Sequence, residues 1–448
     1  MTTDLAAARR RTMNLAHPPA LALTSSMWAT IPELIRPLVL GAGRDLRRPR
    51  ARRASASVPR TDFDPTLPDN IANPHPHFAQ LRQHPVVVNE RLNSWMLARY
   101  RDVQAAARES TVLSSANGIF LRSTPITSMI TTDPPLHDQM RRVLQPAFSR
   151  TRVAVWTDVA RSLADEGISR LKRGEVVDMV PALTIPLPIS VIAHILGVPS
   201  DEWPAFRAIS DRFAEIFSPR TAAEVAQMFG GALKAYVQYR SYIVAELRHR
   251  VGNDPTEILD ELSAQVQRGE ITEPQAFFNM VLLLVAGNET TTNLMGMLLM
   301  QLAKDPELFE ELRADRSLLP AAIEETTRWG SPVQWVARVA TEPYPIGDTV
   351  IPQGGRVVLF WGSANRDPEK YPDPDRFDIH RSTAGHLGFG HGIHFCLGAH
   401  LARLEVMTAI NHLLDEVDGL ELAGPVRWAT TPSLQGPASL PIRVRKAS

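Results

Sequence analysis

A mainly α-helical fold with small β-sheets is what this sequence of 448 residues predicts. Three observations predict it. Segments with the helical spacing of apolar residues fill the middle of the chain. Short runs rich in β-branched and aromatic residues cluster before and after them. No linker-like stretch interrupts residues 61–448, so a single domain is expected there, preceded by an extension over 1–60.

The elements follow in order. Asn73-Pro74-His75-Pro76 opens a helix that runs through Leu81. Val86–Val88 and Trp95–Ala98 read as strands. From Tyr100 to about Trp329 the pattern is mostly helical, with periodic segments at 151–173, 186–197, 201–217, 221–251 and 272–304. Ser218-Pro219 marks a corner. Strand signals return at Val333–Thr341, Tyr344–Ile351 and Arg356–Phe360. A Pro/Asp-rich loop at 365–378 leads to a glycine-rich segment and a helix of about twenty residues. The end, 418–446, reads as a hairpin with Gly436-Pro437 near its tip.

Composition narrows the function. Forty-eight basic and 48 acidic side chains cancel, so no global charge argues for nucleic acid. A single cysteine excludes an intramolecular disulfide and fits a reducing, cytoplasmic setting. No uncharged apolar run approaches the roughly eighteen residues of a membrane span. The basic run Arg44, Arg47, Arg48, Arg50, Arg52 and Arg53 reads as a disordered, solvated extension, with weak contact to an anionic membrane surface as the alternative.

The one cysteine, Cys396, sits in Phe389-Gly390-His391-Gly392-Ile393-His394-Phe395-Cys396-Leu397-Gly398, directly before the helix former Ala399-His400-Leu401-Ala402-Arg403. Its sulfur is expected at the positive end of that helix, with a lowered thiol pKa, where a thiolate can ligate iron. A second irregularity lies in the apolar helix 272–304. Ala286-Gly287-Asn288-Glu289-Thr290-Thr291-Thr292 places a glycine, a carboxylate and three threonines where a buried helix disfavours them. Broken local rules concentrate at functional sites. Elsewhere, His137 and Arg141 lie four apart on one helix face, and Glu325 and Arg328 three apart on another.

These segments, in this order, resemble the cytochrome P-450 family over nearly all of 63–446. The resemblance rests on the cysteine segment with its Leu401-Ala402-Arg403, on Ala286–Thr290, on Glu325-x-x-Arg328 and on Asn365-Arg366-Asp367-Pro368. Thr327 stands where leucine is commoner in the family, and His380 where proline is. The resemblance implies the P-450 fold and haem b (iron protoporphyrin IX), with Cys396 as iron ligand and Gly398 beside the macrocycle. It implies that His137, Arg141, Arg338 and His394 hold the haem propionates. Glu289 would relay protons and Thr290 would donate a hydrogen bond to dioxygen, the helix widening locally at Gly287. Glu325 and Arg328 would form a buried structural pair joined by Arg381. Phe120, Met129 and Ile130 of a lid loop at 118–130, with Leu283, Ala286, Val333, Gln334, Trp335 and Leu434, would line an apolar substrate pocket. The implied activity is insertion of one oxygen atom of O2 into an apolar organic molecule. Electrons would come from NAD(P)H through a separate ferredoxin or flavodoxin; Arg141, Arg142 and Arg403 are candidate contacts for an acidic carrier, with a merely solvated basic face as the alternative. A hydrogen-peroxide-dependent peroxygenase and a non-catalytic haem sensor are the alternatives.

Overall fold

The structure, a computed structural model, describes residues 40–445 apart from 42, 52–53, 55, 124–125, 197, 199–239, 241–242 and 245–257. The helices expected at 201–217 and 221–251 therefore lie outside the described residues, save for 240, 243 and 244, which are helical. The chain divides into two compact units. The smaller holds residues 193–285 and the larger 37–192 and 286–448. In the smaller unit, helix Ile258–Gln267 buries Ile258, Leu259 and Leu262. The long helix Glu273–Lys304 begins there behind a reciprocal cap: Thr272 N–H donates to Gln275 Oε1 at 2.8 Å, and Gln275 N–H to Thr272 Oγ1 at 3.3 Å. No helix among the described residues is long and apolar enough to cross a membrane.

The larger unit is organised by one mixed sheet. Its strands are β1 (Val87–Asn89), β2 (Ser94–Leu97), β3 (Leu113–Ser114), β4 (Val336–Ala340) and β5 (Arg356–Leu359), in the order β1-β2-β5-β4-β3. β2 and β5 run parallel with Trp95 opposite Val357, and both are buried along their whole length. Continuous apolar runs are the sequence signature of such two-sided burial. β3 lies inside a stretch that reads as helix; two residues carry no period, and pairing with Val339 and Ala340 alone defines them. Tyr344–Ile351, expected as one strand, is a hairpin of Tyr344–Ile346 and Thr349–Ile351, because Gly347 turns the chain at φ +55°. The expected terminal hairpin is present as two antiparallel pairs, Arg427–Trp428 with Pro437–Ser439 and Leu420–Leu422 with Pro441–Val444, and the last strand also takes up the distant Val177–Asp178.

Seven helices matter below: α1 (Tyr100–Arg108), α2 (Leu136–Leu144), α3 (Thr157–Lys172), α4 (Pro186–Ile195), α5 (Glu273–Lys304), α6 (Leu319–Gly330) and α7 (Ala399–Glu416). The packed body also extends upstream of residue 61. Ala51 and Val58 are buried in one cluster with Trp95, Leu359 and Trp361, so this part of the basic extension is held against the sheet.

α6 fixes the segment that carries Cys396 through two ion-pair clusters. Glu325 and Arg328 have no solvent exposure and pair bidentately at 2.7 and 2.8 Å. Arg328 also donates to Asn365 O and Pro374 O, and Glu325 accepts from Asp378 N–H at 2.9 Å. Arg381 Nε stands 3.3 Å from Glu325, and its other nitrogens donate to Pro372, Asp373 and Arg376 carbonyls. The second cluster was not evident in the sequence. Glu324 accepts from Arg403 and pairs with His386 at 2.9 Å, and the Arg403 guanidinium lies 4.3 Å above the Phe389 ring. Arg403 is thus committed inside the protein rather than free for an acidic carrier. Burial pushes the Glu324 carboxyl up, but the hydrogen bonds and charges of Arg403 and His386 more than reverse this, to about 2. Between the clusters Gly388 lies against the Thr327 carbonyl, where any Cβ would collide with it.

Two outcomes follow. Glu325→Gln leaves Arg328 buried without its counter-charge and should cost about 3–5 kcal/mol in urea unfolding; a loss under 1 kcal/mol would place the stabilisation elsewhere. Glu324 has a folded pKa below its unfolded one, so its stabilisation is complete above about 4.5 and fades as pH falls toward about 2. Glu324→Gln should therefore be less stable than the native protein at pH 7, with the difference shrinking across that window; a pH-independent difference would contradict the assignment.

Candidate active site

Cys396 is set by its own loop. Its N–H donates to Phe389 O at 2.8 Å, a 3₁₀ turn spans Gly392–His394, and α7 starts three residues later with Gly398 as its N-cap. Gly392, at φ +72°, lies against Ala107 O at the end of α1 and leaves no space for a side chain. The loop presents Phe395 41% exposed, with Ile393 and Leu397 half-buried. The expected lowering of the thiol pKa is not met by the chain alone. Burial pushes the Cys396 thiol up, and the Gly398 N–H, Arg403 and Arg141 only oppose it. The helix end is present, but desolvation of the sulfur outweighs it. A thiolate here needs a metal cation at the sulfur.

Beside the cysteine segment four cation-capable side chains converge. Arg338, on β4, is 6% exposed; its Nη1 donates to Ala337 O, and burial lowers its pKa to about 10 against the charge of Asp133. Asp133 is itself engaged by Ser114 Oγ at 2.5 Å and Ser115 N–H at 2.9 Å. His394 Nε2 lies 3.0 Å from Ser115 Oγ. Burial, followed by the charges of Arg338, His137 and Arg141, pushes His394 down to about 2. His137, on α2, meets the His394 ring edge-on at 4.6 Å. Its Nδ1 pairs with Asp138, while its buried Nε2 has no partner among the described residues. Arg141, one turn on, donates to Phe395 O at 2.8 Å and is lowered by burial, with Cys396 and Asp138 opposing.

These are residues that want anions. Two carboxylates, Asp133 and Asp138, are already hydrogen-bonded here, and the charges of Arg338, His137 and Arg141 all bear on His394. Two added carboxylates would satisfy the orphaned His137 Nε2 and compensate Arg338. The donor set therefore fits a haem, whose propionates supply that charge and whose iron supplies the cation the sulfur lacks.

α5 is α-helical throughout Glu273–Lys304, so the widening expected at Gly287 is absent. Gly287 instead admits α4: a Cβ there would come within 3.3 Å of Ile192. Thr292 Oγ1 donates to Thr184 O at 2.7 Å, which pins the same contact. Thr290 Oγ1 donates to Ala286 O at 2.7 Å. Ala286 is exposed, and Val285, Gly287, Glu289 and Thr290 beside it are half-buried, so this turn of the helix opens onto a bay.

The expected pocket residues divide. Val333 and Leu434 meet in an antiparallel bridge and are half-buried. Phe120 and Ile130 are half-buried on their loop, whereas Met129 is 8% exposed. Trp335 belongs instead to the core with Phe63, Phe78 and Phe360. Gln334 is also interior: its Nε2 donates to Gly330 O, Ser331 O and Gln435 Oε1, so its amide nitrogen is consumed by the fold. Leu283 belongs to the smaller unit, whereas the other expected pocket residues belong to the larger one. Among functional neighbours, Glu324, His386, Asp133 and Ser115 gave no sequence signal, because each acts through a partner remote in the chain.

Comparison with known proteins identifies the family. The sequence model of the cytochrome P-450 family matches residues 94–418. The chain is 33% identical to the beta-dihydromenaquinone-9 omega-hydroxylase of Mycobacterium tuberculosis, over 99% of this chain and 92% of that protein. It is 34% identical to the monooxygenase PikC of Streptomyces venezuelae, over 88% and 96%. Among solved structures it is similar to CYP109E1 from Bacillus megaterium in complex with testosterone, with TM-score 0.77, 30% identity, and 85% of this chain and 100% of that chain covered. A lone cysteine in a glycine-walled loop, set beside an anion-poor cluster of arginine and histidine, is what these relationships lead one to find. The chain belongs to the cytochrome P-450 family and is a haem-thiolate monooxygenase.

Proposed function

We propose that residues 61–448 act as one catalytic domain that hydroxylates an apolar organic molecule with dioxygen, using electrons from NAD(P)H delivered by a separate ferredoxin or flavodoxin. The observation that carries this reading is the pairing of Cys396 with a cationic cluster that lacks its anions. Haem b is the matching cofactor; when bound it supplies activation of dioxygen and of the substrate C–H bond.

The chain's own residues do the rest. Cys396 ligates through its sulfur, and the Gly398 N–H, Arg403 and Arg141 stabilise negative charge on it. Arg141, Arg338, His394 and His137 hold the two propionates, which fixes the orientation of the macrocycle between α2, β4 and the cysteine loop. Thr290 holds a proton at Oγ1, at rest directed to Ala286 O, and turns it toward dioxygen in the bay at Ala286. Glu289, its half-buried neighbour, replenishes that proton from solvent. Val333, Leu434, Phe120 and Ile130 offer apolar surface for the substrate. Support for a large apolar substrate comes from relatives: one is an omega-hydroxylase of a menaquinone by name, and a structural neighbour holds testosterone. Exposed Arg142 remains a contact for an acidic electron carrier.

The reduced protein gassed with carbon monoxide should give the strongly red-displaced Soret band of a thiolate-ligated haem, and Cys396→His should lose it. An unchanged band in that variant would remove Cys396 as the ligand. Thr290→Ala should keep the band but divert reducing equivalents to hydrogen peroxide, lowering product per NAD(P)H by roughly tenfold or more. Unchanged coupling would show that the hydroxyl delivers no proton.

A further inference from the structure

A group of residues upstream of the matched family region grips a single loop of the larger unit. The loop, residues 115–133, leaves and returns at the cationic cluster: Ser115 contacts His394, and Asp133 bonds Ser114 and Ser115 beside Arg338. Midway, Ile119 O accepts from Ala337 N–H at 2.7 Å, one residue from Arg338. From the sheet side, Arg356 on β5 reaches the loop. Its side chain is fully buried, and Nη2 donates to the carbonyls of Phe120, Arg122 (2.8 Å) and Asn117 (3.5 Å). From the other side comes the upstream segment. Arg48 donates to Leu121 O at 3.0 Å and to Ser123 Oγ at 3.1 Å, and it pairs with Asp45. Asp45 in turn accepts from Ser123 N–H at 3.1 Å, and Arg44 donates to Asn117 Oδ1.

The grip is anchored. Ala51, fully buried, donates its N–H to Asn93 Oδ1 at 2.6 Å, and Pro49 packs on Gly354, where a Cβ would lie 3.1 Å away. Asp45 also supplies counter-charge. Burial and the charge of Arg48 push the Arg356 guanidinium well down, and Asp45 opposes both. The family match begins only at residue 94, so Asp45 and Arg48 stand outside it. Arg356 had no place in the sequence reading beyond membership of a strand. Five loop residues between 117 and 123 are thus held by three arginines and one carboxylate, none of which touches the cysteine or the cationic cluster through a hydrogen bond.

We propose that Asp45, Arg48 and Arg356 are positioning residues that fix the conformation of residues 117–123 of this loop and so set the size of substrate the site admits. The proposal rests on the assignment of that loop to the substrate pocket. An arginine that ties backbone carbonyls prepays the ordering of a loop, and a ligand that packs on the loop benefits. A ligand small enough to reach the iron without touching the loop does not.

The test uses full-length holoenzyme and two azoles that ligate haem iron: imidazole, which is small, and clotrimazole, which is bulky. Native protein, Arg48→Ala, Asp45→Ala and Arg48→Lys are titrated spectrally, and amide hydrogen exchange is followed over 115–123. In Arg48→Ala and Asp45→Ala the clotrimazole dissociation constant should rise about fivefold or more, while that for imidazole stays within about twofold. Arg48→Lys, which keeps the charge and one donor, should fall between. Exchange over 115–123 should quicken in the alanine variants. Equal shifts for both azoles would reveal a general pocket defect and overturn the proposal. Quicker exchange with unchanged clotrimazole binding would overturn its specificity half, and unchanged exchange would overturn the positioning itself. If native holoprotein lacked the red-displaced carbon monoxide band, the functional reading would fail separately, and the exchange measurement would still judge the clamp.

Discussion

The site depends on a charge pair with no access to water. Glu325 and Arg328 sit on one helix and reach out of it to Asn365, Pro374, Asp378 and Arg381. Such a pair adds little net stability over apolar packing, since its desolvation offsets its attraction. What it adds is placement. The loop that crosses beneath α6 can satisfy those buried groups in one register only. That register brings Gly388 onto the Thr327 carbonyl and sets the course of the cysteine segment. Glu324 and Arg403 add a second tie from the neighbouring residue of α6 to α7. Helix, loop and following helix are thereby one rigid support for a single sulfur.

The chemistry of the site is an imbalance left for a ligand to correct. In the chain alone the thiol is pushed up by burial, His394 is pushed down, and Arg338 is lowered with one carboxylate, Asp133, opposing. Each departure has the same sense: the interior lacks a cation at the sulfur and anions at the arginines. A cofactor with a positive centre and negative periphery corrects all of them together. Binding it is therefore coupled to the ionisation of the residues that hold it.

Much of this was legible in the sequence because the relevant residues are close in the chain. Glu325 and Arg328 are three apart and His137 and Arg141 four apart, and the helix period alone joins each pair. The cysteine segment is contiguous, so its turns and its helix could be read directly. What failed was set by distant contacts. Leu113–Ser114 is a strand only because β4 accepts it, and Val177–Asp178 only because Pro441–Val444 does. Trp335 has the composition of a pocket residue, but strand alternation and the Phe63–Phe78–Phe360 cluster turn it inward. Gly287 was expected to widen the helix, yet the helix is regular there and Ile192 of α4 packs against the glycine. The expected lowering of the thiol pKa failed: the Gly398 N–H at the helix end does lower it, but burial, a tertiary property, raises it by more.

The hydroxyl of Thr290 closes a ring with the carbonyl of Ala286, four residues back in its own helix. An idle proton is thus stored against an acceptor that never changes. To be released, it must be offered an oxygen with greater electron density than a helical amide carries. A neutral guest resting in the bay makes no such offer and leaves the latch shut. In the role proposed for Thr290, this turn of helix would discriminate by basicity, responding to how negative the contents of the bay have become rather than to whether it is full.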